Sequence, residues 1–405
     1  MKVLYFHQHF TTPEVGGGTR SYEFARKLKE RGHQVTMVCG DRVKLTHSLN
    51  SSRYTNRGNI DGVDIIQIRV SYSNNDGLLK RTYSFLKYAI IGLIIAHKEN
   101  YDLLFATSTP LTAGVPGIWM KMFSKKKRKF IFEVRDLWPE LPKALGLKNP
   151  LLLWGMSILE KLSYNKADGC IGLSPGICEG IKKRLSKDNP ITMIPNGCDL
   201  NLFNPKKKKK VFIKGVDEND FVVLFSGAHG IANGLDAVLD MAIELEKKNR
   251  TDIKIVFIGQ GKMKPHLMKR KIDEKIGNCI FLPFMSKLEL AEIIASADVG
   301  LMVLKNVPAF YYGTSPNKFF DYISSGIPII NNYPGWLSDM ILEYNCGEVV
   351  KPDNPKLFAD KLISMIDNPD KRRLQGINAR ILAEKHFSRD DLSNQFVDFL
   401  ENINS

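Results

Sequence analysis

The sequence predicts an α/β protein of two doubly wound, Rossmann-like parallel-sheet domains in tandem, facing a cleft. Three observations predict it. Short β-rich runs alternate with helical ones from the first residues, as in a parallel sheet covered on both faces. The alternation breaks once, in "PNGCDLNLFNPKKKKK", and then resumes. A chain of 405 residues, 43% of them hydrophobic, is long enough to bury two cores.

In the first half, strands are expected near Val3–Phe6, Val35–Cys39, Ile65–Val70, Leu103–Ala106, Phe130–Val134, Cys170–Leu173 and Thr192–Ile194, with helices between most of them. The break carries turn signals and a charge run without apolar periodicity, which reads as a linker. The second series has strands near Val222–Ser226, Ile253–Ile258, Ile280–Leu282, Val299–Leu304, Ile327–Ile330 and Gly347–Val350, and from Pro355 onward the pattern is helical only. The expected division is a domain over 1–198, a linker over 199–220, a domain over 221–385, and a C-terminal helix over 386–405 placed to pack back on the first domain. Ligands of such sheets bind beyond the carboxyl ends of the strands, so the loops after strands are the candidate sites.

Composition narrows the classes. The six cysteines show no CxxC pair and no zinc spacing, so free thiols are expected. The opening "MKVLYFHQHF" lacks the apolar core of a signal peptide, and the greasiest run, "YAIIGLIIA", is about half a membrane span, so a cytoplasmic protein is expected. The net charge is +15, concentrated at Lys125–Lys129 and Lys206–Lys210. Neither run is interleaved with stacking aromatics and no nucleic-acid-binding motif is present, so nucleic acid is not an expected partner. An anionic membrane is, because "LLKRTYSFLKYAIIGLIIAHK" (Leu78–Lys98) mixes lysines with a broad apolar face beside "MKMFSKKKRKF". A solvated surface and a core helix would account for the same two stretches.

Four loops carry the candidate chemistry. After the first strand, Gly16, Gly17 and Gly18 lead into a helix with apolar Tyr22, Phe24, Ala25 and Leu28, where a phosphate or sugar can approach the backbone. About ten residues separate this loop from the strand and the third glycine of a dinucleotide fingerprint is missing, which argues against a dehydrogenase. "FIFEVRDLWPE" packs Glu133, Arg135, Asp136 and Glu140 around Trp138 at a strand's end, a charge density suited to a cleft wall. "LFSGAHGIANGLDAV", with His229 and Asn233, and "FIGQGKMK" are glycine turns at strand ends. In "SPNKFFDYISSGIPII", Ser315 caps a helix, Pro316 suits its first turn and Ser325-Gly326 ends it. Its free N-terminus with Lys318 suits a phosphate, and Asp321 one turn on can accept from a sugar hydroxyl. The plain alternative is a surface salt bridge between Lys318 and Asp321. No DxD, HExxH, GxSxG or Walker loop is present, and His7 with His9 are too few to hold zinc, so no metal site is expected.

In order and spacing, "FTTPEVGGGTRSYEFARKLKERGHQVTMV", "ADGCIGLSPGICEGI", "IPNGCDLNLF" and "PNKFFDYISSGIPII" resemble the family four glycosyltransferases, enzymes of the GT-B fold, along nearly the whole chain. "FEVRDLWPE" with "SPNKFFDY" is most similar to members that assemble O-antigen and capsule, among them N-acetylfucosamine transferases. The resemblance implies retaining transfer of a hexose or N-acetylhexosamine-type sugar from a nucleotide diphosphate sugar, with UDP as nucleotide, bound by the second domain without metal or cofactor. It implies a lipid-linked polyprenyl diphosphate saccharide as acceptor, held by the first domain, and work at the inner face of the cell membrane. Of the family's two donor glutamates eight positions apart, Asp321 holds the second position and Gly313 the first. The family's diphosphate-binding arginine and lysine fall on Ala228 and Asn233, and a frequent histidine on Arg135. Lys318 and the helix start at Ser315, Pro316 and Asn317 are therefore the expected compensation. The catalytic candidates are Lys318, Asp136, Glu133 and Arg135; the donor-binding candidates are Gly17, Gly18, His229, Asn233, Ser315, Pro316, Asn317 and Asp321. The rival readings are a nucleotide-sugar epimerase on the same architecture and a non-catalytic membrane- or nucleic-acid-binding protein.

Overall fold

A computed structural model describes residues 1–45, 47–73, 76–207 and 211–405. Lys208, Lys209 and Lys210 of the second lysine run lie outside the described residues. The chain forms two compact units, Met1–Pro195 with Asp390–Ser405, and Asn196–Arg389.

Unit 1 runs β1 (Lys2–Phe6), α1 (Arg20–Glu30), β2 (Gln34–Cys39), β3 (His47–Ser51), β4 (Thr55–Ile60), β5 (Val63–Ile68), α2 (Leu78–Lys98), β6 (Leu103–Thr107), α3 (Val115–Phe123), β7 (Lys129–Val134), α4 (Glu140–Ala144), α5 (Pro150–Lys166), β8 (Gly169–Gly172), α6 (Pro175–Arg184) and β9 (Ile191–Met193). Its strands form one sheet in the order β3-β4-β5-β2-β1-β6-β7-β8-β9. The central strands are parallel and nearly all buried, because helices cover both faces. β1 lies between β2 and β6, so the strand order reverses at the carboxyl ends of β1 and β6. The edge is an antiparallel hairpin that apolar periodicity does not announce, β4 to β5 through Asp61-Gly62, both with positive φ (48° and 79°), as a tight hairpin turn requires.

Unit 2 runs β10 (Phe221–Ser226), α7 (Asp236–Lys247), β11 (Ile253–Ile258), α8 (Lys264–Asp273), β12 (Cys279–Leu282), α9 (Lys287–Ala295), β13 (Val299–Met302), α10 (Pro308–Tyr311), α11 (Asn317–Ser324), β14 (Ile329–Asn331), α12 (Trp336–Glu343), β15 (Gly347–Val349), α13 (Pro355–Ile366) and α14 (Pro369–His386). Its sheet is all parallel, in the order β12-β11-β10-β13-β14-β15, and reverses between β10 and β13. α15 (Arg389–Asn404) then returns to unit 1, where Leu392, Phe396, Val397 and Leu400 join its core and Phe396 stacks on Phe24 at 4.2 Å.

The stretch 199–220, expected as a linker, is counted in unit 2. Cys198, Phe203 and Ile213 are buried in that unit's core. The amide of Cys198 donates to the carbonyl of Phe387 (2.6 Å), and that of Arg389 donates to the carbonyl of Cys198 (3.1 Å). The outgoing and returning chain are thus stitched together, with unit 2 running from Asn196 to Arg389. All six cysteines are free.

Candidate functional site

In unit 2, α11 is fixed against the end of β10 by Tyr322, whose hydroxyl accepts from the amide of Ser226 (2.9 Å) and donates to the carbonyl of Leu224 (3.0 Å). Gly300 leaves room for that ring, since a β carbon there would lie 2.5 Å from it. Phe319, Phe320 and Ile323 are buried, so the helix exposes little beyond its first turn. Pro316 precedes it in extended conformation and no side chain caps it. Ser315 does not act as the cap: its hydroxyl accepts from the amide of Asn196 (3.2 Å) and its carbonyl from Asn196 Nδ2 (2.6 Å). The first amides of α11, at Asn317 and Lys318, therefore have no capping partner, which leaves the positive end of the helix for an anion.

Lys318 reaches from this turn to the strand reversal of unit 2. Its Nζ donates to Asn233 Oδ1 (3.0 Å) and sits 3.9 Å from the centre of the Phe225 ring. Asn233 is itself oriented by donating from Nδ2 to the carbonyl of Ala228 (2.8 Å). Gly227, with φ of +137°, lets the lysine stem pass within contact distance. No carboxylate pairs with Lys318, and burial pushes its ammonium down to about 7. The surface salt bridge with Asp321 is not formed.

Asp321 faces the other way. The residue is 4% exposed, with Oδ1 3.5 Å from Lys287 Nζ. Lys287 is also paired with Asp199, which Arg389 engages from its other oxygen. Burial raises Asp321 more than Lys287 lowers it, whereas at Asp199 the two cations overcome burial and hold it at about 2. Asp321, expected to contact the ribose, stands in a buried charge cluster that joins α9, α11 and the stretch after Asn196. His229, the other donor-binding candidate of this loop, precedes Asn233. Its ring is fully buried among Phe225, Phe257 and Phe281, and burial with Lys264 and Lys318 pushes it down to about 4. The turn at Gly259 and Gly261 wraps its backbone so closely that a β carbon at Gly261 would lie 2.4 Å from its carbonyl oxygen.

Sequence reasoning passed over Lys264. Its Nζ donates to the carbonyls of Gly259 (2.8 Å) and Leu282 (2.6 Å), bridging the ends of β11 and β12, and burial lowers it as well. The only signal was its place in a glycine turn after a strand.

In unit 1, Glu133 is fully buried and accepts from Arg20 Nε (2.9 Å), Arg20 Nη2 (2.7 Å) and Thr107 Oγ1 (2.7 Å). Arg20 further donates to the carbonyls of Ile194 (2.7 Å) and Pro195 (2.5 Å). These bonds of Glu133, one of the catalytic candidates, tie α1 to β7 and β6. Glu140 pairs with Arg184. Arg135 and Asp136 stand free of that lock. The amide of Arg135 donates to Ser108 Oγ (2.9 Å), and Thr109 Oγ1 donates to Asp136 (3.1 Å), whose carboxyl burial raises.

Beside them lie residues set aside at the metal test. Arg135 Nη1 is 3.5 Å from His7 Nε2, the His9 ring packs at a tilt against Tyr72 with centroids 4.4 Å apart, and Arg81 lies 5.6 Å from the same Tyr72 ring. Burial, Arg42, Arg135 and Arg81 together push His9 down to about 3, and burial with Arg135 lowers His7 well below its usual value. His7 Nδ1, His9 Nδ1 and Arg81 Nε are buried without a hydrogen-bond partner. Three arginines, two neutral imidazoles and three orphaned polar atoms, from the ends of β1, β2 and β7 and the first turn of α2, suit an anionic ligand. Gly17, exposed with φ of +97°, and Gly18, whose carbonyl accepts from Thr11 Oγ1 (3.1 Å), keep an open backbone before α1. Among the described residues no cluster of His, Cys, Asp and Glu could hold a metal ion.

Residues 15–202 match the family described as Glycosyltransferase Family 4, and residues 206–381 the family described as Glycosyl transferases group 1. The chain is 20% identical over 297 residues to the uncharacterized glycosyltransferase MJ1069 of Methanocaldococcus jannaschii, covering 72% of this chain and 73% of that one. The sucrose-phosphate synthase of Thermosynechococcus elongatus superposes with a TM-score of 0.76 at 16% identity, over 99% of this chain and 98% of that one. Anabaena HepE, solved in complex with UDP-glucose, superposes with a TM-score of 0.68 at 15% identity, over 99% and 100%. The fold is accordingly that of the two-domain GT-B proteins.

Proposed function

We propose, from the premise that this chain is a family 4-like glycosyltransferase, that it moves a hexose or N-acetylhexosamine-type sugar, with retention, from a UDP-sugar to a lipid-linked saccharide in surface polysaccharide assembly. One observation carries the donor half: an ammonium without a carboxylate partner, Lys318, held beside an uncapped helix start at the strand reversal of unit 2. Breaking the sugar–phosphate bond builds negative charge on the diphosphate. Lys318, Lys264 and the amides of Asn317 and Lys318 are preorganised to stabilise that charge, so the transfer needs no metal. Asn233 positions Lys318, and Ser315 and Pro316 set where the helix starts. HepE, with its UDP-glucose, favours UDP as the nucleotide.

The acceptor half rests on unit 1. Arg42, Arg81 and Arg135 suit the diphosphate of a polyprenyl-linked saccharide, and Asp136, whose carboxyl is raised by burial, orients the acceptor hydroxyl. Gly17 and Gly18 offer backbone amides to a sugar or phosphate. A thermal-shift series with UDP-, GDP- and dTDP-sugars tests the reading. A UDP-sugar should raise the melting temperature and the Lys318→Met variant should lose that response; if no nucleotide sugar moves the wild type, the donor assignment falls.

A further inference from the structure

Unit 1 carries an apolar surface that its own core does not use. α2, α3 and α5 share the core cluster on one face of the sheet through Tyr88, Ile95, Ile118 and Tyr164. They lie side by side at close range: a β carbon on Gly92 of α2 would sit 3.2 Å from Pro116 of α3, and one on Gly114, ahead of α3, would sit 2.8 Å from Ser163 of α5. Their outer faces therefore point the same way. On α2, Leu79 (87% exposed), Tyr83, Leu86, Ile90 and Ile94 form one stripe, opposite the buried Ser84, Tyr88 and Ile95. α3 adds Trp119, Met122 and Phe123, and α5 adds Leu151 (71%), Leu152 and Trp154 (64%). A patch this continuous marks an interaction surface.

Charge selects the partner. Residues 78–98 and 115–129 contain no Asp or Glu, and the one acid of α5, Glu160, is buried against Tyr164 and Arg184. Lys87, which lies over Tyr83, and the exposed Lys125, Lys126 and Lys127 adjoin the patch, with no carboxylate partner among the described residues. A second copy of the chain would set lysines against lysines. Exposed tryptophan, phenylalanine, leucine and isoleucine flanked by lysine is instead the composition of a face that settles among lipid headgroups. No described helix is long and apolar enough to cross a bilayer, so the contact is with its surface.

We propose that α2, α3 and α5 form a platform that seats unit 1 on an anionic bilayer, with Trp119 and Trp154 in the headgroup layer and Lys125 to Lys127 against anionic lipid. This deepens the lipid-linked acceptor reading: α2 carries the platform on its outer face and presents Arg81 toward Tyr72 and His9, so the lipid stem of an acceptor would lie beside the pocket for its diphosphate.

Flotation with vesicles of phosphatidylcholine plus phosphatidylglycerol, against phosphatidylcholine alone, tests it. The wild type should float with the anionic vesicles and its tryptophan emission should shift to the blue. The variant Lys125→Gln/Lys126→Gln/Lys127→Gln should bind about a hundredfold more weakly, and Leu151→Ser/Trp154→Ser should lose most binding. All altered side chains are at the surface, so UDP-sugar stabilisation should persist and report an intact fold. Wild type that ignores both vesicle types overturns the platform, as do variants that bind like wild type or a wild-type dimer that Leu151→Ser/Trp154→Ser dissolves. Vesicle binding without any nucleotide-sugar response leaves the platform standing and removes the donor reading instead.

Discussion

Glu133 in unit 1 and Lys318 in unit 2 occupy comparable places, each a charge beside the carboxyl ends of parallel strands, and the sequence alone gives both catalytic promise. In unit 1 the charge is answered: Arg20 and Thr107 fill the carboxylate's hydrogen-bonding capacity, and Arg20 is completed by two carbonyls. In unit 2 it is not. Lys318 has an amide oxygen and an aromatic ring for company, and burial lowers its pKa. A buried ion that is paired on all sides holds a fold together, whereas one held in place without its counter-ion costs stability and is better explained by a ligand that supplies the missing charge.

Removing Glu133 gives the sharpest contrast. Glu133→Ala strands Arg20 in the interior and should destabilise unit 1 by about 3–5 kcal/mol, read by urea unfolding. Wild-type stability with lost transfer would return Glu133 to the catalytic set. Lys318→Met should do the opposite. Turnover should fall by about two to three orders of magnitude, as when one transition-state donor is removed, while the melting temperature of the empty protein stays level or rises because a desolvated charge is gone. Near-normal turnover would break the comparison from the other side.

These outcomes bear on how much the sequence could disclose. Strand positions were legible because parallel strands covered on both faces must be continuous apolar runs, as in "KVLYF" and "FVVLF". Strand β4 at 55–60 was not, since a segment that opens with Thr55, Asn56 and Arg57 carries little apolar signal, although Asp61-Gly62 is a turn dipeptide. Lys318 could be found from its place at a helix start after a strand. The direction of Asp321 could not: residues three apart on a helix are neighbours, and only the arrival of Lys287 and Asp199 from distant chain turns its carboxylate away from Lys318. The same holds for Glu133, whose partner Arg20 lies 113 residues away.

The cation cluster of unit 1 supplies a smaller effect. Arg81→Gln removes one charge-assisted donor from the proposed acceptor pocket and should raise the acceptor KM about ten- to a hundredfold. Nucleotide-sugar affinity should not move, since the residues assigned to the donor's diphosphate are in unit 2. A variant that weakens donor and acceptor alike would mean that the two units do not divide the substrates in this way.

The smallest effect is the most direct probe of the missing counter-ion. In the empty protein burial pushes the Lys318 ammonium down from 10.5 to about 7. A bound diphosphate favours the ammonium and raises that value, so the complex holds a proton that the free protein gives up as pH climbs past 7. Affinity must then fall as pH rises, approaching tenfold per unit between about 7 and the pKa of the complex, and level off below 7, where the lysine is charged in both states. An intact nucleotide sugar is the suitable ligand, because its diphosphate does not titrate in that window. The slope should vanish in Lys318→Met, with affinity low throughout, and in Lys318→Arg, whose charge persists at every pH examined. A slope of the same size in the Met variant would assign the proton to another group, and Lys264, lowered by burial and linked only to carbonyls, would be the next to replace.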